Sequence, residues 1–513
     1  MPADDPHTTS DPDPDDLASP VSWPSVRRRL GAAGLLRDVL RGREAPDPDT
    51  LVIDHLTDDS RAVRPGGTFV AIRGVSADGH SFIDNAVQNG VRLVVCEAVP
   101  GDVRTRCPGT VFAHVTDTRT ALAELAAARY GDPAEALRLV GITGTNGKTT
   151  VACLVHHLLT ALGHSAGLLS TVEVRGAGPD ATAALTTPGP LALHRLLRRM
   201  VDRGRRTCAM EVSSHALTQK RVHGLDFEAA VFTNLTADHL DYHDTVAAYR
   251  DAKKRLFDGL RPGATALYNA DDEAGAAMVA DTEASTVSFA LDRPADIAVT
   301  VRAQRLDGLR LAIDGHPRRF RLAGRFNAYN LAAAYGVGRA LDHDAGPVLD
   351  ALADAPPVPG RFEPLHVGDG PTVVVDYAHT PDALENILRS VREAAADEAD
   401  LWCVFGCGGD RDRGKRPEMG RIAERLADRV VVTSDNPRTE APEAILDDIR
   451  AGVEQPEALR WIVDREAAIR AAADGASPAD VVVIAGKGHE TTQTIGTDTR
   501  PFDDRKMARK YFG

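Results

Sequence analysis

Gly144-Thr145-Asn146-Gly147-Lys148-Thr149-Thr150 lies between the apolar run Leu137-Arg138-Leu139-Val140-Gly141-Ile142-Thr143 and the helix-forming stretch from Val151 to Leu162. Strand, glycine turn and helix in that order predict a phosphate loop. Glycines let backbone N–H groups turn toward phosphate oxygens, and the helix N-terminus adds a favourable dipole. Lys148 is then placed to reach the β- and γ-phosphates of ATP, and Thr149 to ligate Mg²⁺, so the seven residues from Gly144 to Thr150 form the candidate nucleotide site. The strict pattern G-x-x-x-x-G-K-[ST] is not met, because Ile142 stands where its first glycine belongs. Such loops occur in many NTPases, so this one predicts ATP use without naming a reaction.

Around that loop the chain reads as α/β throughout. Its 513 residues are too many for one hydrophobic core, and roughly 150 residues per domain suggests about three. Residues 1–117 hold an acidic, proline-rich stretch to about residue 20, expected to be a disordered tail, and then a small α/β domain. That domain has strands in Gly66–Ile72 and Val91–Cys96 and a helix near Phe82 to Asn89. Residues 118–358 form the larger, phosphate-loop ATPase-like α/β domain, ending at Ala355-Pro356-Pro357-Val358-Pro359-Gly360. Residues 359–513 alternate the apolar strands Thr372–Asp376, Leu401–Phe405, Arg429–Thr433 and Val481–Ala485 with helices, the pattern of a Rossmann-like, doubly wound domain.

Composition excludes several function classes. A net charge of −14 argues against a nucleic-acid-binding surface, so an anionic substrate must be met by individual Lys and Arg side chains or by backbone N–H donors. No apolar run reaches the roughly 18 residues a membrane span needs. The six cysteines are scattered without zinc-ligand spacing, as expected for reduced thiols of a cytoplasmic enzyme. A monomer is the expected state.

Two further stretches place polar groups directly after apolar ones. Cys208-Ala209-Met210-Glu211-Val212-Ser213-Ser214-His215 and Val231-Phe232-Thr233-Asn234-Leu235-Thr236-Ala237-Asp238-His239 would bring Glu211 and His239 to neighbouring strand ends, facing the phosphate loop as Mg²⁺ ligands. Singly, each is more readily a cap or a surface residue than a ligand. Together with Gly324-Arg325-Phe326-Asn327-Ala328-Tyr329-Asn330 they stand in the order found in the Mur ligases, and from about Thr57 to Lys506 the chain resembles that family.

The resemblance implies roles that local chemistry alone leaves open. It matches Lys253, in Tyr249-Arg250-Asp251-Ala252-Lys253-Lys254, to a lysine carbamylated by CO₂. The carbamate supplies an anionic oxygen ligand where an ammonium would repel Mg²⁺. It places Asn327, Asn330, Arg361, Asp376 and His379 at the nucleotide, with Arg361 reaching the phosphates when the third domain closes. It places Ser60 at the UDP moiety, and Thr186, Thr187, Ser213, Gln219 and Arg221 at the muramyl peptide. Leu185 stands where the family often has a polar residue.

For the incoming amino acid the resemblance points to three loops that follow strands of the third domain. These carry Arg411, then Asp435-Asn436-Pro437-Arg438, then Gly486 and Glu490. Strand ends of a doubly wound sheet gather on one edge, so the loops can share a crevice. In the family, Asp-Asn-Pro-Arg accompanies meso-diaminopimelate, whose far carboxylate suits a guanidinium; lysine's far ammonium would be repelled by it. The implied reaction is ATP-dependent addition of meso-diaminopimelate to UDP-MurNAc-L-Ala-D-Glu through an acyl phosphate. The alternatives are lysine addition, a folylpolyglutamate-type ligation, and a non-catalytic nucleotide-binding scaffold.

Overall fold

The structure, a computed structural model, describes residues 19–74, 77–179, 185–366 and 370–513. The acidic tail expected at the N-terminus lies, to residue 18, outside the described residues. The chain divides into two compact units, one of Met1–Leu139 with Ser165–Glu228 and one of Val140–His164 with Ala229–Gly513.

The first unit holds a five-stranded sheet in the order Leu36–Arg41, Val111–Val115, Leu93–Cys96, Thr68–Val70, Leu56–Thr57. Its pairs are parallel except at the edge, where Leu36–Arg41 runs antiparallel to Val111–Val115. Both faces are covered at the centre of the sheet, which is why Leu93–Cys96 is apolar without a break. Leu93 and Val95 join Trp23, Leu30 and Leu122 on one side, while Val94 and Cys96 meet Ile83 and Ala86 on the other. Alternation along a strand produces the two cores. Strands Ala166–Leu169 and Thr207–Glu211 pair in parallel in the same unit.

The second unit contains the phosphate-loop strand Arg138–Thr143, followed across the sheet by Phe227–Phe232, Thr265–Asn269, Ser285–Ala290, Ile297–Arg305, Gly308–Ile313 and His316–Phe320. The last three strands form an antiparallel extension. A six-stranded sheet follows, in the order Glu363–His366, Thr372–Asp376, Val481–Ala485, Leu401–Phe405, Arg429–Val432, Arg460–Trp461. It is parallel except for the first pair. The loops after Asp376, Phe405, Val432 and Ala485 therefore all leave from one edge. All six cysteines are free thiols, and no helix among the described residues is long and apolar enough to cross a membrane.

Candidate active site

The helix after the phosphate loop spans Lys148–Ala161, starting earlier than the apolar pattern predicts because Gly147 serves as its left-handed cap at φ 84°. A side chain at Gly147 would also meet Asn330, whose Oδ1 lies 2.5 Å from where a Cβ would stand. Glycine is needed there on both counts. The segment after Phe232 forms the back of the loop. Asn234 accepts from the Thr145 amide through its carbonyl and from the Asn146 amide through Oδ1, both at 2.8 Å, and Thr233 Oγ1 donates to Asn146 O at 2.6 Å.

That return explains why His239 does not stand at the strand end expected of it. The strand Phe227–Phe232 stops early because the next residues fold onto the phosphate loop, and His239 follows on a left-handed turn (φ 54°) before the short helix Leu240–His243. Its side chain is 43% exposed and lies 3.5 Å from Asp238. Partial desolvation, reinforced by Lys148 and Lys253, pushes the imidazolium down to about 4, although Asp238 pulls the other way.

Two lysines converge on one carbonyl oxygen. Lys148 Nζ donates to Gly144 O at 2.9 Å and to Thr145 O at 2.8 Å, and Lys253 Nζ donates to the same Gly144 O at 2.7 Å. Lys253 is only 1% exposed and lies 4.1 Å from the centre of the Tyr249 ring. Burial and then the Lys148 charge hold its amine well below the ordinary lysine range. Two lysine side chains thus converge on a glycine turn at a helix N-terminus, an arrangement suited to an anion.

The other expected nucleotide residues belong to this same unit. Asn330 Nδ2 donates to Asn327 Oδ1 at 2.8 Å, and Asn327 Nδ2 donates to Ala323 O at 2.6 Å. Arg361 donates to Thr149 Oγ1 at 3.2 Å and lies 4.4 Å from the centre of the Tyr377 ring. Both Asp376 oxygens are engaged by backbone, accepting from Phe362 N at 2.6 Å and Ala378 N at 2.7 Å, so Asp376 shapes the turn that presents Arg361. His379 Nδ1 lies 3.0 Å from Tyr377 O. Asp382 accepts from Asn146 Nδ2 at 3.0 Å, a contact that sequence reading missed.

In the first unit a second cluster forms around the end of the strand Thr207–Glu211. Glu211 accepts from Thr171 N at 2.6 Å, and Thr171 Oγ1 donates to Thr186 Oγ1 at 3.2 Å. Thr187 Oγ1 donates to Glu211 O at 2.9 Å and accepts from Ser213 N at 3.0 Å. Arg221 donates to Thr187 O at 2.7 Å and to Gln219 Oε1 at 2.8 Å. All five residues expected at the muramyl peptide thus join Glu211 in one chain of hydrogen bonds, while Leu185 is 50% exposed. Ser60 stands on a different element, the short turn Ser60–Ala62 capped by Asp59.

The three C-terminal loops meet as the sheet edge requires. Asn436 Nδ2 and Lys487 Nζ both donate to Glu490 Oε2, at 2.8 and 2.9 Å. Burial favours the neutral Glu490, but the Lys487 charge and the hydrogen bonds from Lys487 and Asn436 together outweigh it, and the carboxyl stays below its ordinary range. Asp435 is buried beside Gly486, where a side chain would strike its carboxylate. Arg438 has φ 54°; its amide donates to Thr494 O at 3.1 Å and its guanidinium to Gly409 O at 2.7 Å. Arg411 is exposed, and a Cβ on Gly408 would stand 3.0 Å from Arg438 Nη1 and 3.8 Å from Arg411 Cγ, so that glycine separates the two arginines.

Three family models match in chain order: "Mur ligase family, catalytic domain" over residues 52–130, "Mur ligase middle domain" over 142–338, and "Mur ligase, glutamate ligase domain" over 360–488. A protein of Parabacteroides distasonis named UDP-N-acetylmuramoyl-L-alanyl-D-glutamate--2,6-diaminopimelate ligase is 44% identical over 93% of this chain and 99% of its own length. The chain belongs to the Mur ligase family. A Chlorobaculum tepidum Mur ligase of the same name is 45% identical over 94% of this chain and 98% of its own. A solved structure of that name superposes with a TM-score of 0.65 at 31% identity, covering 96% of this chain and 99% of that one. The fold is the three-domain Mur ligase fold, mixed α/β with parallel-rich sheets.

Several parts of this Mur ligase site were not legible in sequence. The hairpin Thr492–Ile495 with Asp498–Pro501 clamps Arg438 from behind, yet its residues are polar and lack a strand's apolar alternation. Arg465, fully buried, donates to Asp504 at 2.8 and 2.7 Å and to Ala485 O at 3.0 Å. It braces the base of the loops across elements far apart in the chain. Among the described residues no three His, Cys, Asp or Glu side chains cluster as metal ligands.

Proposed function

We propose that this Mur ligase joins the amine of meso-2,6-diaminopimelate to the D-glutamate side-chain carboxylate of UDP-MurNAc-L-Ala-D-Glu, with ATP as co-substrate, in the assembly of peptidoglycan precursors. The observation that carries the reading is Arg438, fixed by backbone on both sides and held by Gly409 beside Arg411. Two guanidiniums on one loop edge suit a far carboxylate, and would repel the ammonium that ends lysine. The shared name of relatives matched over nearly their whole length supports the same choice.

The mechanism follows from the residues. A carboxylate resists amines, so its oxygen attacks the γ-phosphorus of ATP, ADP leaves, and an acyl phosphate forms. The amine nitrogen then attacks the acyl carbon, phosphate leaves, and the amine proton passes to a base. Loop amides from Gly144 to Thr150 and Lys148 stabilise the transferring phosphoryl group, and Arg361 adds charge from the C-terminal side. Thr187, Ser213 and Arg221 hold the muramyl peptide, Ser60 the uridine end, and Asn327, Asn330, Asp376 and His379 frame the nucleotide. Asp435, Asn436, Pro437, Gly486 and Glu490 shape the pocket around the incoming amino acid, with Glu490 facing its ammonium.

The residues fit Mg²⁺ and a carbamate. Lys253 is buried against a carbonyl and a ring, so the neutral amine that reacts with CO₂ is favoured, and the product anion relieves its crowding with Lys148. Thr149, His239 and the Lys253 carbamate would hold Mg²⁺, a set of oxygen and imidazole donors. When bound, Mg²⁺ neutralises charge on the phosphates. The reading assigns residues up to 117 to the UDP end, 118–358 to ATP and 359–513 to the amino acid, in a cytoplasmic monomer that binds neither nucleic acid nor membrane.

Oxygen-18 in the D-glutamate side-chain carboxylate tests the mechanism. Complete turnover with ATP and meso-diaminopimelate should place one labelled oxygen in the released phosphate. Phosphate release without label transfer would remove the acyl phosphate from the mechanism. No release with the full substrate set would remove the ligase reading itself.

A further inference from the structure

Behind the two arginines assigned to the far carboxylate lies a network that the proposed reaction does not use directly. Arg416 is fully buried; it donates to Glu440 Oε1 at 2.8 Å and Oε2 at 2.9 Å, to Asp448 at 2.8 Å, and to Gly408 O at 3.0 Å. Glu440 also accepts from Asp410 N at 2.6 Å. Asp410 in turn accepts from Thr439 N at 3.1 Å and Thr439 Oγ1 at 2.8 Å. The Glu440–Asp410 and Asp410–Thr439 bonds join the loop that carries Arg411 to the loop that carries Arg438, and Arg416 braces them from the helix Lys415–Leu426.

The two loop tips share an unusual backbone. Asp410 has φ 53° and Arg438 has φ 54°, both left-handed and neither a glycine. Such conformations persist only where the surroundings over-determine them, and they gather at ligand clamps. Here the surroundings are Glu440 and Asp410: each carboxylate belongs to one loop and takes its hydrogen bonds from the other. The Arg416 hydrogen bond, ahead of the opposing effect of burial, holds the Glu440 carboxyl down to about 2, so the cross-link is charged at any working pH.

We propose that Glu440, together with Asp410, is a positioning residue that sets the separation of the Arg411 and Arg438 guanidiniums for the far carboxylate of the incoming amino acid. The inference rests on the proposed reading of that site. Neither carboxylate touches the amino acid. Loss of the cross-link releases the strained tips, and the two forks no longer meet one carboxylate together. Selection of a dicarboxylic diamine over lysine falls with it, while ATP binding does not.

Steady-state kinetics of the full-length protein on Glu440→Ala, Glu440→Gln and Thr439→Val test this, varying meso-diaminopimelate, ATP and L-lysine in turn. Glu440→Ala should raise KM for diaminopimelate about tenfold or more, since misplacement by ~1 Å can cost as much as 100-fold. KM for ATP should stay within about twofold, and the preference over lysine should shrink. Glu440→Gln retains an acceptor and should recover part of the loss. Thr439→Val removes one exposed bond without touching buried Arg416, and should move the same parameter less. If Glu440→Ala does not fold, Thr439→Val decides the matter: an unchanged KM for diaminopimelate would overturn the proposal. Equal rises in the ATP and diaminopimelate KM would overturn it as well, by marking a purely structural role. Wild-type protein without diaminopimelate-dependent turnover would instead overturn the function on which the inference rests.

Discussion

The phosphate loop and the loops around Arg438 are built by opposite means. The first is a backbone device: Gly147 turns the chain, and the anchors Thr233 and Asn234, just past the strand Phe227–Phe232, hold the loop by its backbone. The second is a side-chain device, in which Arg416, Glu440, Asp410, Lys487 and the Arg465–Asp504 pair hold three loops against one another. On the proposed reading, the backbone cradle meets phosphate. A side-chain brace can be retuned one residue at a time, which suits the part of the enzyme that selects an amino acid.

The largest effect should come from the cradle. Lys148→Ala removes the cation aimed at the transferring phosphoryl group and should lower kcat by ~10²–10³-fold, read as ADP formation, with little change in KM for diaminopimelate. A comparable loss in diaminopimelate affinity would show that the two regions are not separable. The next effect tests the brace as a structural element. Asp504→Asn leaves Arg465 buried without its charged partner and should cost ~3–5 kcal/mol, measured by urea denaturation. A loss below about 1 kcal/mol would mean that the pair only fills space.

Arg438→Ala sharpens the comparison at the ligand. Removing one guanidinium from a carboxylate should raise KM for diaminopimelate about 10- to 100-fold and leave KM for ATP nearly unchanged. The smallest effect is in acid. The folded Glu440 carboxyl lies at about 2, below the ~4.3 of an unfolded chain. Its stabilisation is therefore fully present above about pH 4.3 and is lost as the pH falls toward 2. The stability of Glu440→Gln should depend less steeply on pH across that window, and an unchanged slope would show that Arg416 does not hold the charged form.

How far each region could be read in the sequence follows from the same contrast. Local rules found the strands Thr372–Asp376, Leu401–Phe405 and Val481–Ala485 at the bounds the structure gives them, because buried parallel strands are unbroken apolar runs. They found the phosphate loop because its constraints lie within one short segment. They placed His239 at a strand end, since nothing local reveals that Thr233 and Asn234 turn back onto the loop. Pro437 stiffens the loop that carries Arg438, but the stiffness also comes from Thr494 and Gly409, which are distant in sequence. The bond from Arg416 to Glu440 and that from Arg465 to Asp504 carry no local signal, because each half reads as an ordinary surface charge until the fold buries it. The small antiparallel extension Ile297–Phe320 was absorbed into a general α/β reading for the same reason: only pairing distinguishes it.

The most direct test of the division of labour between cradle and brace is the ratio of kcat/KM for meso-diaminopimelate to that for L-lysine. It is measured on the wild-type protein with saturating ATP and UDP-MurNAc-L-Ala-D-Glu. The paired arginines at Gly408 should favour diaminopimelate by at least about 100-fold, the scale expected of a bidentate charged contact replaced by a repulsion. Equal values, or a preference for lysine, would contradict the assignment of Arg411 and Arg438 to a carboxylate.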